Sequence, residues 1–146
     1  MNEELTPRLP KWFLLVAWIA LIWNLMGCVI FYGETFQQET VIARFEPEQK
    51  EWVRSTPIWI YVIFGISLGT GVVGSVLMLL KKKQCLPLFT VSFITVLVQM
   101  SYTMLIAGGL KVMGQSAAIM PTVVMLLAVA WLCFSLYGVR KNWLTA

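Results

Sequence analysis

Inside its apolar stretches this chain carries no ionised side chain; amides, hydroxyls and phenols are its main polar groups there. On a helix advancing about 100° per residue, Ser92, Thr95, Gln99, Tyr102 and Thr103 fall within an arc of roughly 100°. Asn24 falls in a similar arc with Ala17, Ala20, Gly27 and Cys28. Such groups can do two things in an apolar setting. They can hydrogen-bond between helices, which gains about 1 kcal/mol per pair, or they can line a pocket for a neutral solute. An amide that does neither costs several kcal/mol. Asn24 and Gln99 lie at nearly the same depth in their stretches, so depth and phase predict a hydrogen bond between them. The candidate polar cluster is Asn24, Ser92, Thr95, Gln99 and Tyr102.

Other chemistries lack their residues. The chain has no histidine, which removes His-ligated haem, ordinary zinc sites and the Ser-His-Asp and Cys-His catalytic sets. Aspartate is absent too. Proton-coupled carriers bind their proton on a charge within the membrane, and none is expected here. Cys28, Cys85 and Cys133 form no C-x-x-C pair and read as small hydrophobes. Leu25-Met26-Gly27-Cys28 resembles a bacterial lipobox, but apolar residues continue through Tyr32, so a retained helix is expected. No catalytic, cofactor-binding or metal-binding residue is expected, and the chain reads as a non-enzyme without cofactors.

The elements that must position the polar cluster follow from composition. Of 146 residues, 59% are hydrophobic and 12% charged, with a mean hydropathy of +0.79. Soluble domains carry roughly 25% charged residues, and a chain this short cannot bury so much apolar surface in one core. Four uncharged runs, at about 12–32, 57–80, 86–107 and 117–138, each match a hydrocarbon core of about 30 Å at about 1.5 Å per residue. Only helices satisfy their own backbone groups in lipid, so an all-α integral membrane four-helix bundle is predicted, as a single domain over 1–146.

Arg8, Lys11, Lys81, Lys82, Lys83, Arg140 and Lys141 fall on one side of that bundle, against Arg44, Lys50, Arg54 and Lys111 on the other. The positive-inside rule then puts the N-terminus and C-terminus in the cytoplasm. The net charge of +4 is therefore a topology signal and implies no nucleic-acid partner. Residues 33–56 form an outer loop. Its second half reads as a short interfacial helix, with Pro47 at the first position, acids in the first turn and Arg54 near the end. That segment serves either as a lid over the bundle or as a docking surface for a periplasmic partner.

Several boundaries carry local signals. Thr56 before Pro57 reads as a cap for the second helix, and Ser116 as a cap for the fourth, which Pro121 is expected to bend. Gly108-Gly109 closes the third. Trp12, Tyr32, Trp52, Trp59, Tyr137 and Trp143 sit near predicted boundaries as an aromatic belt. The second helix carries candidate packing glycines on two faces, Gly65 with Gly69, and Gly71 with Gly74, Ser67 and Ser75. The Gly65–Gly69 face is expected to make the closest helix approach.

Trp23-Asn24-Leu25-Met26-Gly27, Thr56-Pro57-Ile58-Trp59, the glycine run ending in Lys81, Pro87-Leu88-Phe89 with Ser92, and Val98-Gln99-Met100-Ser101-Tyr102 occur in that order. Together they resemble a family of small bacterial four-helix membrane proteins often labelled sugar transporters. The resemblance covers most of the chain and implies a bacterial inner membrane. Gln84-Cys85 departs from it, because an aromatic residue commonly follows the basic junction in that family.

Two functions fit these observations. One is a non-catalytic module acting through helix contacts with itself or with a larger membrane complex, its first partner being the lipid bilayer. The other is an oligomeric carrier or channel for a small neutral solute such as a sugar. They differ in whether Asn24, Gln99 and Tyr102 face a cavity or a dry helix seam.

Overall fold

The computed structural model describes residues 8–146. In chain order the helices are α1 (Lys11–Phe36), α2 (Gln38–Val41), α3 (Pro47–Arg54), α4 (Ile58–Leu79), α5 (Cys85–Ser101), α6 (Gly109–Val112) and α7 (Ile119–Arg140). A π-helical turn, Tyr102–Ile106, extends α5, and a 3-10 turn, Gln115–Ala118, leads into α7. Four helical stretches are long and apolar enough to cross a membrane, as hydropathy predicts. Among the described residues there is no strand, only an isolated bridge between Lys82 and Thr145.

Several boundaries differ from expectation. The first helix runs a turn beyond Tyr32, to Phe36, and so brings Glu34 into the helix. Thr56 does not cap α4, which starts after Pro57 in extended geometry (φ −64°, ψ 144°). Ser116 does not cap α7 either. Pro121 falls in the first turn of α7, where helical N–H groups have no intrahelical partner, so its missing N–H disturbs nothing. Gly108 takes the left-handed conformation (φ 75°) expected of a glycine after the third span. The π turn before it, closed by Ala107 N–H donating to Tyr102 O at 2.8 Å, has no sequence signal.

The long helices pack in chain order: α1 on α4, α4 on α5, and α5 on α7. The first and last helices of this row have no comparable backbone seam. They meet instead through aromatic rings where α1 begins and α7 finishes. Trp12 lies 6.1 Å from Phe134, and Trp143 lies 5.5 Å from Phe13 and 5.3 Å from Tyr137. Phe13, Ala17, Met78, Cys85 and Phe89 are buried beneath this clasp, with Leu144 and Trp131.

The clasped end is also tied by backbone. Lys81 (φ 60°) and Asn142 (φ 56°) end α4 and α7 in left-handed geometry, each followed by an N–H that returns to the carbonyl five residues before it. Those returns are Lys82 to Leu77 at 2.8 Å and Trp143 to Gly138 at 3.0 Å. The two turns then bond to each other: Lys83 N–H donates to Thr145 O, and Thr145 N–H to Lys81 O, both at 2.8 Å. The triple lysine thus forms part of a latch that holds the 142–146 segment on the bundle.

Candidate functional site: a cavity closed at one end

The opposite end of the bundle holds a cavity of about 540 Å³. Phe89 and Trp131, both part of the buried core, form its floor. Asn24, Ser67, Ser92 and Gln99 lie along its wall among carbon side chains such as Phe64, Leu68, Val96 and Val124.

Each wall residue has a local reason for its place. Asn24 is buried where α1 crosses α4, with its carboxamide lying on Gly71. Its Nδ2 donates to Ala20 O at 2.8 Å and to Ser75 Oγ at 3.4 Å. Ser75 Oγ in turn donates to Gly71 O at 2.8 Å. Ser92 Oγ donates to Ser67 O at 2.9 Å across the α4–α5 seam. Gly74 admits the Phe89 ring, 3.4 Å from where a β-carbon would stand. The predicted bond between Asn24 and Gln99 is not made. Helices pack in chain order, so α1 shares its seam with α4 and Asn24 spends its donor there.

Two wall and floor groups have no partner. Gln99 Oε1 and Trp131 Nε1 are buried without a hydrogen bond, and their residues are only 7% and 8% exposed. Buried acceptors and donors nearly always find a partner, because an unpaired one costs about 1–3 kcal/mol. Both residues line the cavity, but these two atoms themselves are shielded from it, so their cost is borne by the packing around them.

Thr95 and Tyr102 of the expected cluster stand apart from this cavity. Thr95 Oγ1 donates to carbonyls of its own helix, Val91 and Ser92, at 2.9 Å. Tyr102 stacks edge-on to Trp59 at 4.7 Å and lines a smaller cavity of about 200 Å³ beneath α3. The glycine faces are also reassigned. No atom lies within 4 Å of a β-carbon at Gly69, which is exposed, while Gly65 makes only ordinary contact with Phe31 at 3.5 Å. The close approach belongs to the Gly71–Gly74 face. A glycine pair four apart is a frequent pattern, and only the identity of the neighbouring helix decides which face is used.

The loop lies over the cavity as a lid. Ile42, 1% exposed, lines the cavity from it. Gln38 Nε2 donates to Tyr61 Oη at 2.8 Å, and Trp52 Nε1 to Ala107 O at 2.7 Å, so Trp52 is a lid fastener as well as a boundary aromatic. Pro47 opens α3 at its first position, as expected, and Glu46 N–H donates to Gln49 Oε1 at 3.1 Å, a cap with no counterpart in the sequence reading. Arg54 pairs with Glu39 through two hydrogen bonds, Nε to Oε1 at 2.9 Å and Nη2 to Oε2 at 2.6 Å. That hydrogen bond holds the Glu39 carboxyl below the usual range and pushes the Arg54 guanidinium up.

The rim faces sideways. Met26 and Ile30 on α1 and Met120 on α7 line the cavity yet remain 56%, 48% and 56% exposed. The opening therefore lies between α1 and α7, the pair without a seam. Sequence reasoning missed Trp131, and the available signal was its depth. Tryptophan favours membrane interfaces, and Trp131 lies in mid-helix, outside the belt.

Fold and cavity define an all-α, membrane-length bundle with one closed and one open end. Comparison with protein-family models, curated proteins and solved structures gives no match.

Proposed function

We propose that this protein is a non-catalytic membrane module that holds a small neutral ligand in the cavity under its lid. The reading rests on the cavity of about 540 Å³, walled mostly by carbon and closed at one end by Phe89 and Trp131. Among the described residues no Lys or Arg lines that cavity, and Glu34 is its one acid, at the lid end. These features favour binding over acid–base chemistry or anion capture. Under the positive-inside assignment, in a bacterial inner membrane, the cavity opens in the periplasmic half. Its floor closes it toward the clasped end, so passage through the molecule requires Phe89 and Trp131 to part.

Accessibility tests this. With Cys28, Cys85 and Cys133 replaced, Val124→Cys in the cavity should react with methyl methanethiosulfonate many-fold faster than Ala20→Cys, which is fully buried. Equal, slow rates would show a sealed core and end the reading.

A second reading, self-association, is favoured by one observation. Val62, Ile66 and Val73 form an exposed stripe on α4 around Gly69, which has open space above it. If a second copy packs there, Gly69→Leu lowers the particle mass on size exclusion; if lipid covers the stripe, the mass is unchanged.

A further inference from the structure

We infer that the clasped end of the bundle is a docking surface for anionic phospholipid headgroups, centred on the triple lysine and the end of α7. Charge in this chain is sorted by end. Every acidic side chain among the described residues, from Glu34 to Glu51, belongs to the lid or to the end of α1 beneath it. Arg8, Lys11, Arg140, Lys141 and the triple lysine stand at the clasped end, all exposed. The ion pair found among the described residues, Arg54 with Glu39, is in the lid. The cations of the clasped end therefore have no acidic side chain beside them among the described residues.

The fold gathers these cations into one surface. The backbone bonds of Lys83 to Thr145 and of Thr145 to Lys81 set the lysine loop against the segment that follows α7. Trp12 and Trp143, with ring centroids 5.8 Å apart, bring the start of α1 to the same place. Lys82 Nζ donates to Ala146 O at 2.8 Å and so serves the latch. Lys81 does something else. Its backbone is left-handed (φ 60°), a conformation that glycine takes freely and a lysine takes at a cost. A lysine held there against that cost points to a use for its side chain.

Depth selects lipid over a soluble partner. Trp12, Tyr137 and Trp143 pack together at this end, and Trp12 and Tyr137 remain 46% and 42% exposed. Such half-exposed rings sit at headgroup level in a bilayer. The cations stand beside them: Lys11 precedes Trp12, and Lys141 Nζ lies 5.6 Å from the Tyr137 ring centroid. The basic groups are thus held at the level of the phosphates, where each Lys or Arg strengthens binding to an anionic surface about fivefold. A soluble acidic partner would have to displace the headgroups already there.

The test titrates the full chain in dodecyl maltoside with phosphatidylglycerol or phosphatidylcholine and counts bound lipid by native mass spectrometry. In detergent no membrane potential or insertion step acts, so a cluster that served only to orient the chain would bind both lipids alike. Phosphatidylglycerol should instead bind at least about tenfold more tightly. The preference should vanish in about 1 M salt, which screens charges beyond about 3 Å. Lys83→Gln with Lys141→Gln should weaken phosphatidylglycerol binding roughly 25-fold, at about fivefold per charge. Arg44→Gln with Lys50→Gln, in the lid, should leave it unchanged. Lys81→Gly separates binding from folding: it should melt at or above the parent temperature yet bind about fivefold more weakly. Equal binding of the two lipids overturns the inference, as do equal losses from the two double variants or parent-like binding by Lys81→Gly. Displacement of the bound lipid by inorganic phosphate or by polyglutamate overturns it too, and would assign the surface to a free anion or to an acidic protein.

Discussion

Gly71 and Gly69 lie two residues apart on α4 and meet opposite surroundings. A β-carbon at Gly71 would collide with the Asn24 carboxamide and push it off Ala20 and Ser75. Gly71→Ala should therefore cost about 1–3 kcal/mol, the usual range for overpacking. At Gly69 a methyl group meets open space, and alanine is the better helix former by about 1 kcal/mol. Gly69→Ala should leave the melting temperature in mild detergent unchanged or raised, while Gly71→Ala lowers it. Gln99 gives a second test at this scale. If it were interhelical glue, Gln99→Leu would destabilise the bundle. Because its Oε1 has no partner, the same change should raise the stability of the ligand-free protein by about 1 kcal/mol, read from the same melts. Helical phase alone put Asn24, Ser92 and Gln99 on inward faces and left open whether those faces meet a seam or a cavity. Their partners were not legible, since phase gives the direction of a side chain and leaves open which helix stands opposite. Trp131 was less legible still, because an indole reads as belt, core or donor until its neighbours are known.

At the scale of the elements, the lid is held by contacts of different kinds that respond differently to pH. Glu39 has its carboxyl lowered by Arg54, so its contribution is present above the ordinary glutamate range of about 4.3 and is lost as pH falls through the lowered value. Below about pH 4 the Glu39–Arg54 tie should open while Gln38–Tyr61 and Trp52–Ala107 persist. Hydrogen exchange should then quicken in α3 before it does in α4. In Arg54→Gln, that change should begin at a higher pH. Identical profiles for the two proteins would show that the pair does not secure the lid. The four long helices were readable because uncharged runs of membrane length allow little else. The short α3 was readable from Pro47, its acids and Arg54. The π turn and α2 were not, because each is a local adjustment to packing between distant segments. The latch at 142–146 escaped for a related reason: Lys81 and Asn142 occupy left-handed positions usually signalled by glycine.

For the whole molecule, the backbone bridge between the triple lysine and the C-terminal segment fixes these two on one end. Reporters fused near Lys82 and after Ala146 should therefore give the same signal, cytoplasmic under the positive-inside rule, and reporters near Lys50 and Gln115 the opposite one. A reporter after Ala146 also loads the latch, so one placed near Lys82 is the cleaner measure. Opposite signals at Lys82 and Ala146 would break the four-span arrangement.

Among the described residues, the row of helices closes on itself at the aromatic clasp. A rod held at one end is a lever, and α7 is such a rod: its 22 residues span about 33 Å at about 1.5 Å each. A swing of about 5° at the clasp displaces the far end by about 3 Å, and the middle by half as much. Small rotations among Trp12, Phe134 and Trp143 are thus magnified where Met120 borders the opening. The width of the opening is an angle set some 30 Å away, roughly the helix's own length, and residues that never touch a ligand can decide how thick a ligand may be.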